Sequence, residues 1–434
     1  MKKIRIGIFG LNRGYYNVEN ILACAGEIVA LCDKDEKMLE GFEELIGSRP
    51  PFFKDFDEFI KVPMDCVFLA NYFHEHTPYA IKCLERGIHV LSETTSNSTM
   101  AEGVELVRAV EKSKARYFFA ENYNFMNPIR EMKKIYESGS LGKLMFAEGE
   151  YNHPGSPYFT GRKTPGQKYT IGLHDSDKHW RYFCPATYYI THSLAPLMYA
   201  TGAFPKKVTA MAVFRPSPKD CDCAKRTGDK AAIIMTQNHD GSVYRITGCS
   251  AFGGAENSYR LCGTKGQIEN LRYDEEKVML RYNPWDKPDG LSETNCYYPV
   301  PDDSPEDLEY IKKARHGGSD YIVIREIFKA IRENTPYMLD VYFATTMASV
   351  AILGHRSILY GGVPYDIPDF RLESDKKKWE KDRQSPFHYS DGTEPNIPCC
   401  SHPDYKPSQT QLDNAVKWIN KLKNGEFDDV ERLK

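Results

Sequence analysis

Between residues 4 and 121, short β-branched runs alternate with stretches of helical spacing, and this alternation limits the fold more than any other feature of the chain. The runs are IRIGIF, EIVALCD, DCVFLAN, IHVLSE and ARYFFAE, and the segments after Gly14, Lys37, Pro78 and Ala101 carry the helical spacing. Strands that alternate with helices predict a parallel, doubly wound sheet, whose ligands bind beyond the carboxyl ends of the strands. The stretch HVLSETTSNSTMAEG, His89 to Gly103, reads as one such edge: a strand leaves through Glu93-Thr94-Thr95 and continues into a helix.

From about Asn124 the pattern changes. After a helix, PIREMKKIYESGSLGK, come long runs: LMFAEGEYNH, KVTAMAVFR, AAIIMTQNHDGSVYRITGCSA, SYRLCGTKGQIENLRY and KVMLRYN. Turn residues such as Asp240-Gly241 and Gly263-Thr264-Lys265-Gly266 join them, which predicts an open, mostly antiparallel sheet. Two helices follow, from about Asp320 to Arg332 and through DVYFATTMASVAILGHRSILYG, ahead of a tail rich in Pro, Lys and Asp that holds the amphipathic segment LDNAVKWINKLKNG. The expected α/β organisation is a doubly wound parallel sheet over 1–123, a second α/β domain over 124–363 and an extension over 364–434. A chain of 434 residues exceeds what one core holds, about 250–300 residues.

The formal net charge of −3 comes from scattered signs, so the long-range attraction that nucleic acid or an anionic membrane surface needs is missing. A small-molecule ligand is expected instead. Arg5 and Gly10 break the apolar run at the start before a signal-peptide core could form, and no run approaches the roughly 20 apolar residues of a membrane helix, which together suggest a cytoplasmic protein. The 12 cysteines form no regular framework, and neither Cys221-Asp222-Cys223 nor Cys399-Cys400 has the spacer of a structural zinc site, so no metal is expected.

The first loop is Gly7-Ile8-Phe9-Gly10-Leu11-Asn12-Arg13-Gly14, and the second strand ends at Asp33. Glycines there let backbone amides approach a pyrophosphate, and an acid about 20 residues on can accept from a ribose hydroxyl. Gly10, Asn12, Arg13, Gly14 and Asp33 are therefore cofactor-binding candidates, with Asn12 where the second glycine of the usual pattern would stand. Asp33 favours NAD over NADP, while Arg13 and Lys34 are the cations that could meet a 2′-phosphate. Asn71 and His76 follow the third strand and Glu93 ends the fourth, all at the nucleotide edge. Thr94 and Thr95 read as spacers, and His74 as solvent-facing.

On IGIFGLNRG, Asp33, VFLANYFHEHTPYAIKCLERGIHVLSE, IYESGSLGKLMFAEGEY and CGTKGQIE, the chain resembles the glucose–fructose oxidoreductase / inositol dehydrogenase / MocA (Gfo/Idh/MocA) family over roughly residues 3 to 360. The resemblance implies a nicotinamide cofactor, a Rossmann domain followed by an open-sheet domain, and assembly of a homo-oligomer, a dimer or tetramer, through that sheet. Two departures stand out. The usual Glu-Lys-Pro is Glu93-Thr94-Thr95 here, and the Asp that usually lies four residues before the site histidine is Tyr188, ahead of His192.

Four further segments look like the branch of NAD-dependent glycosidases. They are Tyr189, Thr191, His192, Leu194 and Pro196; Tyr151 with His153; Glu121-Asn122; and His316-Gly317-Gly318 with Asp320. By that resemblance Glu121, Tyr151, His153, Tyr189 and His192 would line a sugar pocket, with Asn122 beside the cofactor and His316 lining the pocket. The branch works by oxidising C3 of the sugar transiently, acidifying C2–H, expelling the C1 substituent and re-reducing the ketone, so that NAD is not consumed. Histidine suits proton transfer near neutral pH, and tyrosine does so when a neighbour stabilises its phenolate. His192 and Tyr151 are the expected proton-transfer pair, with His153 and Tyr189 orienting the sugar and Glu121 holding its hydroxyls. Trp180 and Arg181 offer an aromatic face and a cation to it. Three readings stay open: a redox-neutral glycosidase, a simple sugar or polyol dehydrogenase with His192 as base, and a catalytically silent nucleotide- or sugar-binding protein.

Overall fold

The computed structural model describes residues 2–155, 176–222 and 224–424. Six parallel strands form the first sheet: β1 (Ile4–Phe9), β2 (Gly26–Cys32), β3 (Phe52–Phe53), β4 (Cys66–Leu69), β5 (His89–Ser92) and β6 (Tyr117–Phe119), in the order β3-β2-β1-β4-β5-β6. The strand order reverses between β1 and β4, which opens a crevice at their carboxyl ends. Ile6, Ile8, Val67, Phe68, Val90 and Leu91 are buried, because helices cover both faces of the sheet.

The second sheet has nine strands: β7 (Leu144–Asn152), β8 (Pro205–Phe214), β9 (Asp229–Asn238), β10 (Val243–Ser250), β11 (Glu256–Gly263), β12 (Gly266–Leu271), β13 (Asp274–Tyr282), β14 (Thr294–Tyr297) and β15 (Tyr365–Asp366). All neighbours are antiparallel except β7 with β10. The expected α/β architecture, a doubly wound parallel sheet followed by an open, mostly antiparallel one, is therefore found.

Three details differ from the sequence reading. The two-residue strand β3 was too short to show as a run. The first helix begins at Leu11, directly after Gly10, rather than beyond Gly14. After Lys37 there is only a 3₁₀ turn, Glu36–Leu39, and the short helix Phe42–Ile46, because Gly41 takes a left-handed φ of 78° between them. Other ends agree closely, as with helix Met100–Lys112, where Thr99 and Glu102 cap the N-terminus reciprocally.

The tail folds back along the parallel sheet. Helix Glu373–Trp379 lies against helix Met100–Lys112 through Lys376 with Glu111 and through Arg108 with Glu373 and Glu380. Buried Arg356, on helix Val341–Leu359, grips both carboxylate oxygens of Asp382. Cys223 lies outside the described residues. Among those described, no helix is long and apolar enough to cross a membrane, and no group of His, Cys, Asp and Glu could hold a metal ion.

Candidate active site

The first loop ends β1 with Gly10 at a φ of 91°, where a Cβ would lie 2.3 Å from the carbonyl carbon of Ala70. No side chain can be accommodated there. A Cβ on Gly14 would lie 2.5 Å from Ile8, so this glycine allows the helix to rest on its strand. Asn12 is exposed, which is why the loop closes without a glycine at that position. Asp33 Oδ2 accepts from the N–H of Leu11 at 2.7 Å and Oδ1 from that of Asp35 at 3.1 Å. Burial pushes the Asp33 carboxyl up, and these two donors oppose that rise.

Arg13 reaches from this loop to the end of β5, where its Nε donates to Glu93 Oε1 at 2.5 Å, and its guanidinium lies 3.9 Å from Asp320. Burial works against the charge of Arg13, but Glu93 and Asp320 outweigh it and hold the group protonated. Its contacts therefore lie at the Glu93 end of the crevice, whereas Lys34 sits over the ring of Tyr72 beyond Asp33. Beyond β4, His76 Nδ1 donates to the Thr95 carbonyl at 2.7 Å, and burial keeps the ring neutral. His76 Nε2 and Asn71 Oδ1 are buried without partners among the described residues.

These features fit a dinucleotide: a glycine cradle, an acid at the end of β2, and two buried acceptors of the kind that a nucleotide hydroxyl or carboxamide would satisfy. Asn122, expected at the cofactor, donates to Asp320 Oδ1 at 2.5 Å and lies 3.3 Å from His316 Nδ1. Asp320 stands in the first turn of helix Ser319–Glu333. Burial pushes its carboxyl up, but His316, Arg13 and Asn122 together hold it below the usual carboxylate range.

His74, expected to face solvent, is 2 % exposed. Its Nε2 donates to the His388 carbonyl at 2.8 Å, and its ring packs against Phe387 and Tyr389. The tail covers it, which no local pattern around His74 could reveal.

The proton-handling candidates gather beyond β6 and β7. His192 opens helix Thr191–Thr201, with Nδ1 2.7 Å from Glu121 Oε1. A carboxylate only accepts, so Nδ1 carries the hydrogen and Nε2 of the neutral ring is left as an acceptor. Glu121 is fully buried behind this ring; its Oε1 also takes the N–H of Tyr123, and its Oε2 has no partner among the described residues. Thus Glu121, read from sequence as a holder of sugar hydroxyls, stands at the back of His192.

Tyr123 stacks on His192 with centroids 4.1 Å apart, and Tyr151 meets the same imidazole at 4.8 Å. His153 lies 4.4 Å from the Tyr151 ring and Tyr189 lies 5.5 Å from His192. Tyr259, from β11, fixes the first turn of the helix by donating to the His192 carbonyl at 2.5 Å. Trp180 stacks on Phe73 at 4.7 Å, and the Arg181 guanidinium lies 4.4 Å above its ring. His316 is partly exposed, 5.8 Å from Tyr123.

Tyr123, Tyr259 and Phe73 were missed by sequence reasoning. Only Tyr123 carried a signal, standing two residues beyond Glu121 where β6 has ended.

Residues 4–121 match the family described as "Oxidoreductase family, NAD-binding Rossmann fold", and residues 257–380 match "Glycosyl hydrolase 109, C-terminal domain". Two similar proteins of Bacteroides fragilis are glycosyl hydrolase family 109 protein 2 and an alpha-N-acetylgalactosaminidase. Each is 24% identical over 411 residues, covering 86% of this chain and 93% of the relative. Among solved structures, levoglucosan dehydrogenase in complex with NADH has the same fold, with a TM-score of 0.66 at 18% identity over 85% of this chain and 100% of that one. An oxidoreductase from Agrobacterium radiobacter in complex with NAD+, L-tartaric acid and magnesium aligns with a TM-score of 0.63 at 15% identity, over 84% and 99% of the two chains. Residues 4–121 are thus similar to an NAD-binding Rossmann unit of the oxidoreductase family, and residues 257–380 to the C-terminal domain of glycosyl hydrolase 109.

Proposed function

We propose that this NAD-dependent enzyme cleaves a glycoside by transient oxidation at C3 of the sugar, with no net consumption of cofactor. The observation that carries the reading is the Glu121–His192 pair, in contact at 2.7 Å beside the carboxyl edge of the nucleotide-binding sheet and ringed by Tyr123, Tyr151 and Tyr189. When bound, NAD⁺ supplies a reversible hydride acceptor for the carbinol carbon. Gly10, Gly14, Asp33, Asn71, His76 and Glu93 would hold it.

His192 Nε2 takes the hydroxyl proton, and Glu121 steadies the imidazolium that results, as a buried carboxylate does behind a catalytic histidine. The stack on Tyr123 and the bond to Glu121 fix the plane of the ring, so Nε2 keeps one direction. Tyr151 serves the second proton transfer, at C2 or at the departing oxygen, and His153 and Tyr189 orient the sugar. Arg181, held over the ring of buried Trp180, serves as a donor to hydroxyls. Assembly of copies through the open sheet belongs to the same proposal. It is supported by Met211 and Ile233, which pair across β8 and β9 yet are exposed, and it is checked by light scattering on the eluted protein.

The test is a panel of α- and β-nitrophenyl glycosides, N-acetylgalactosaminides included because of the Bacteroides fragilis relative. Nitrophenol release and NADH absorbance are recorded together. Release without net NADH, lost in His192→Ala, is expected. Net NADH from free sugars without release would replace the proposal with a dehydrogenase, and silence in both channels despite NADH binding would replace it with a binding protein.

A further inference from the structure

The crevice between β1 and β4 has two walls. One is the loop Gly10–Gly14, fixed by the backbone contacts already described. The other is the segment Asn71–Glu75 beyond β4, and what holds it comes from the far end of the chain.

Both carboxylate oxygens of Glu75 accept from Ser390, Oε1 from the backbone N–H at 2.5 Å and Oε2 from the hydroxyl at 2.9 Å. His74 donates to the His388 carbonyl, and fully buried Phe387 packs on His74 at 4.8 Å, on Phe73 at 6.5 Å and on Tyr188 at 5.3 Å. Tyr389 Oη is 2.6 Å from Ser98 Oγ, and that hydroxyl is also bonded to Glu102 and to the His74 carbonyl. The strap then turns to the sugar side, where Glu394 pairs with Lys178 at 2.8 Å and His388 meets Phe183 at 4.5 Å. Buried carboxylates and histidines are costly to desolvate unless each is answered by a partner, and here the tail supplies those partners.

We propose that Phe387, Tyr389 and Ser390 are positioning residues for the cofactor: they pin Phe73–Glu75 so that this wall cannot swing out, and NAD stays bound from one turnover to the next. A dinucleotide leaves only when its crevice opens, so the frequency of wall opening sets the rate of dissociation. The inference rests on NAD occupying the crevice and does not depend on which sugar is turned over.

The test uses the full chain loaded with NADH and chased with excess NAD⁺, with the fall of nucleotide fluorescence giving the dissociation rate. Removing the Tyr389 and Ser390 hydroxyls together, in Tyr389→Phe/Ser390→Ala, is expected to raise that rate about tenfold. Ser390→Thr in the Tyr389→Phe background recovers much of the loss. Arg383→Ala, which breaks only an exposed pair of the tail with Glu105, leaves the rate unchanged. Hydrogen exchange of residues 72–76 is measured in parallel, with Glu75→Gln as a milder variant should the double variant fold poorly; both are expected to loosen the segment. An unchanged dissociation rate in folded double variant, or equal acceleration by Arg383→Ala, overturns the proposal. A parent protein that takes up no NADH overturns the cofactor assignment beneath it, and nitrophenol release reports on the glycosidase reading independently of both.

Discussion

The proposed nucleotide half and the proposed proton-transfer half of the site lie side by side, yet they are held by different means. The first is shaped by backbone: Gly10 lies against the Ala70 carbonyl with no room for a Cβ, and the amides of Gly10 and Leu11 are tied to Cys32 and Asp33 at the end of the next strand. The second is shaped by rings, with His192 between Tyr123 and Tyr151 and Trp180 on Phe73. A backbone cradle has no smaller version of itself to fall back on, whereas a stack of rings keeps most of its contacts through a conservative exchange. Substitutions in the two halves should therefore fail differently.

The largest effect is expected at His192→Ala, where glycoside turnover falls about a thousandfold while NADH binding stays near that of the parent. A comparable loss of NADH affinity would erase the distinction between the halves. Gly10→Ala should do the reverse by destabilising the protein about 3 kcal/mol in denaturant titration and abolishing nucleotide uptake, since strain at positive φ adds to the clash with Ala70. Glu121→Gln comes next, with turnover about a hundredfold lower and nucleotide affinity unchanged, because an amide donor can hold Nδ1 as an acceptor and so place the hydrogen on Nε2. Nitrophenol kinetics beside NADH titration would show whether that split holds.

Acid acts on both halves together. Burial pushes the imidazole of His74 down to about 3, that of His179 to about 3 and that of His355 to about 4. Their unfolded counterparts titrate near 6.5, so as pH falls below that value the unfolded chain binds protons that the folded one refuses. Stability is therefore complete above about pH 6.5 and declines towards pH 3–4, by up to about 1.4 kcal/mol per pH unit for each such histidine. Chemical denaturation at pH 7 and pH 5 checks the sign, and His74→Gln should flatten the slope. The smallest effect is expected at Asn12→Gly: because Asn12 is exposed, a glycine there should change NADH affinity by less than about threefold.

The strand-and-loop geometry of the proposed nucleotide half was largely legible in the sequence because its determinants are local. A β-branched run, a glycine where the strand ends and an acid at the end of the next strand state their geometry within about 30 residues. The proton-transfer half was legible only as isolated residues. His192 and Tyr151 stood out as chemistry, but the partnership of Glu121 with His192 spans 71 residues and depends on how the helix Thr191–Thr201 docks beyond β6. Nothing in the sequence around Glu121 says that its carboxylate turns to an imidazole rather than to solvent. Burial of His74 was hidden for the same reason, since its partner lies 314 residues away.

That separation also has a consequence in time. Ribosomes deliver the N-terminal strands first, and β1 to β6 can pair as soon as they emerge. His388 arrives 314 residues after His74, and Ser390 arrives 315 residues after Glu75, so during synthesis the His74–Glu75 wall exists as a peptide segment without those partners until they emerge. A polypeptide truncated before residue 385 would carry the strands of the parallel sheet and an unfinished crevice, its His74 and Glu75 without His388 and Ser390.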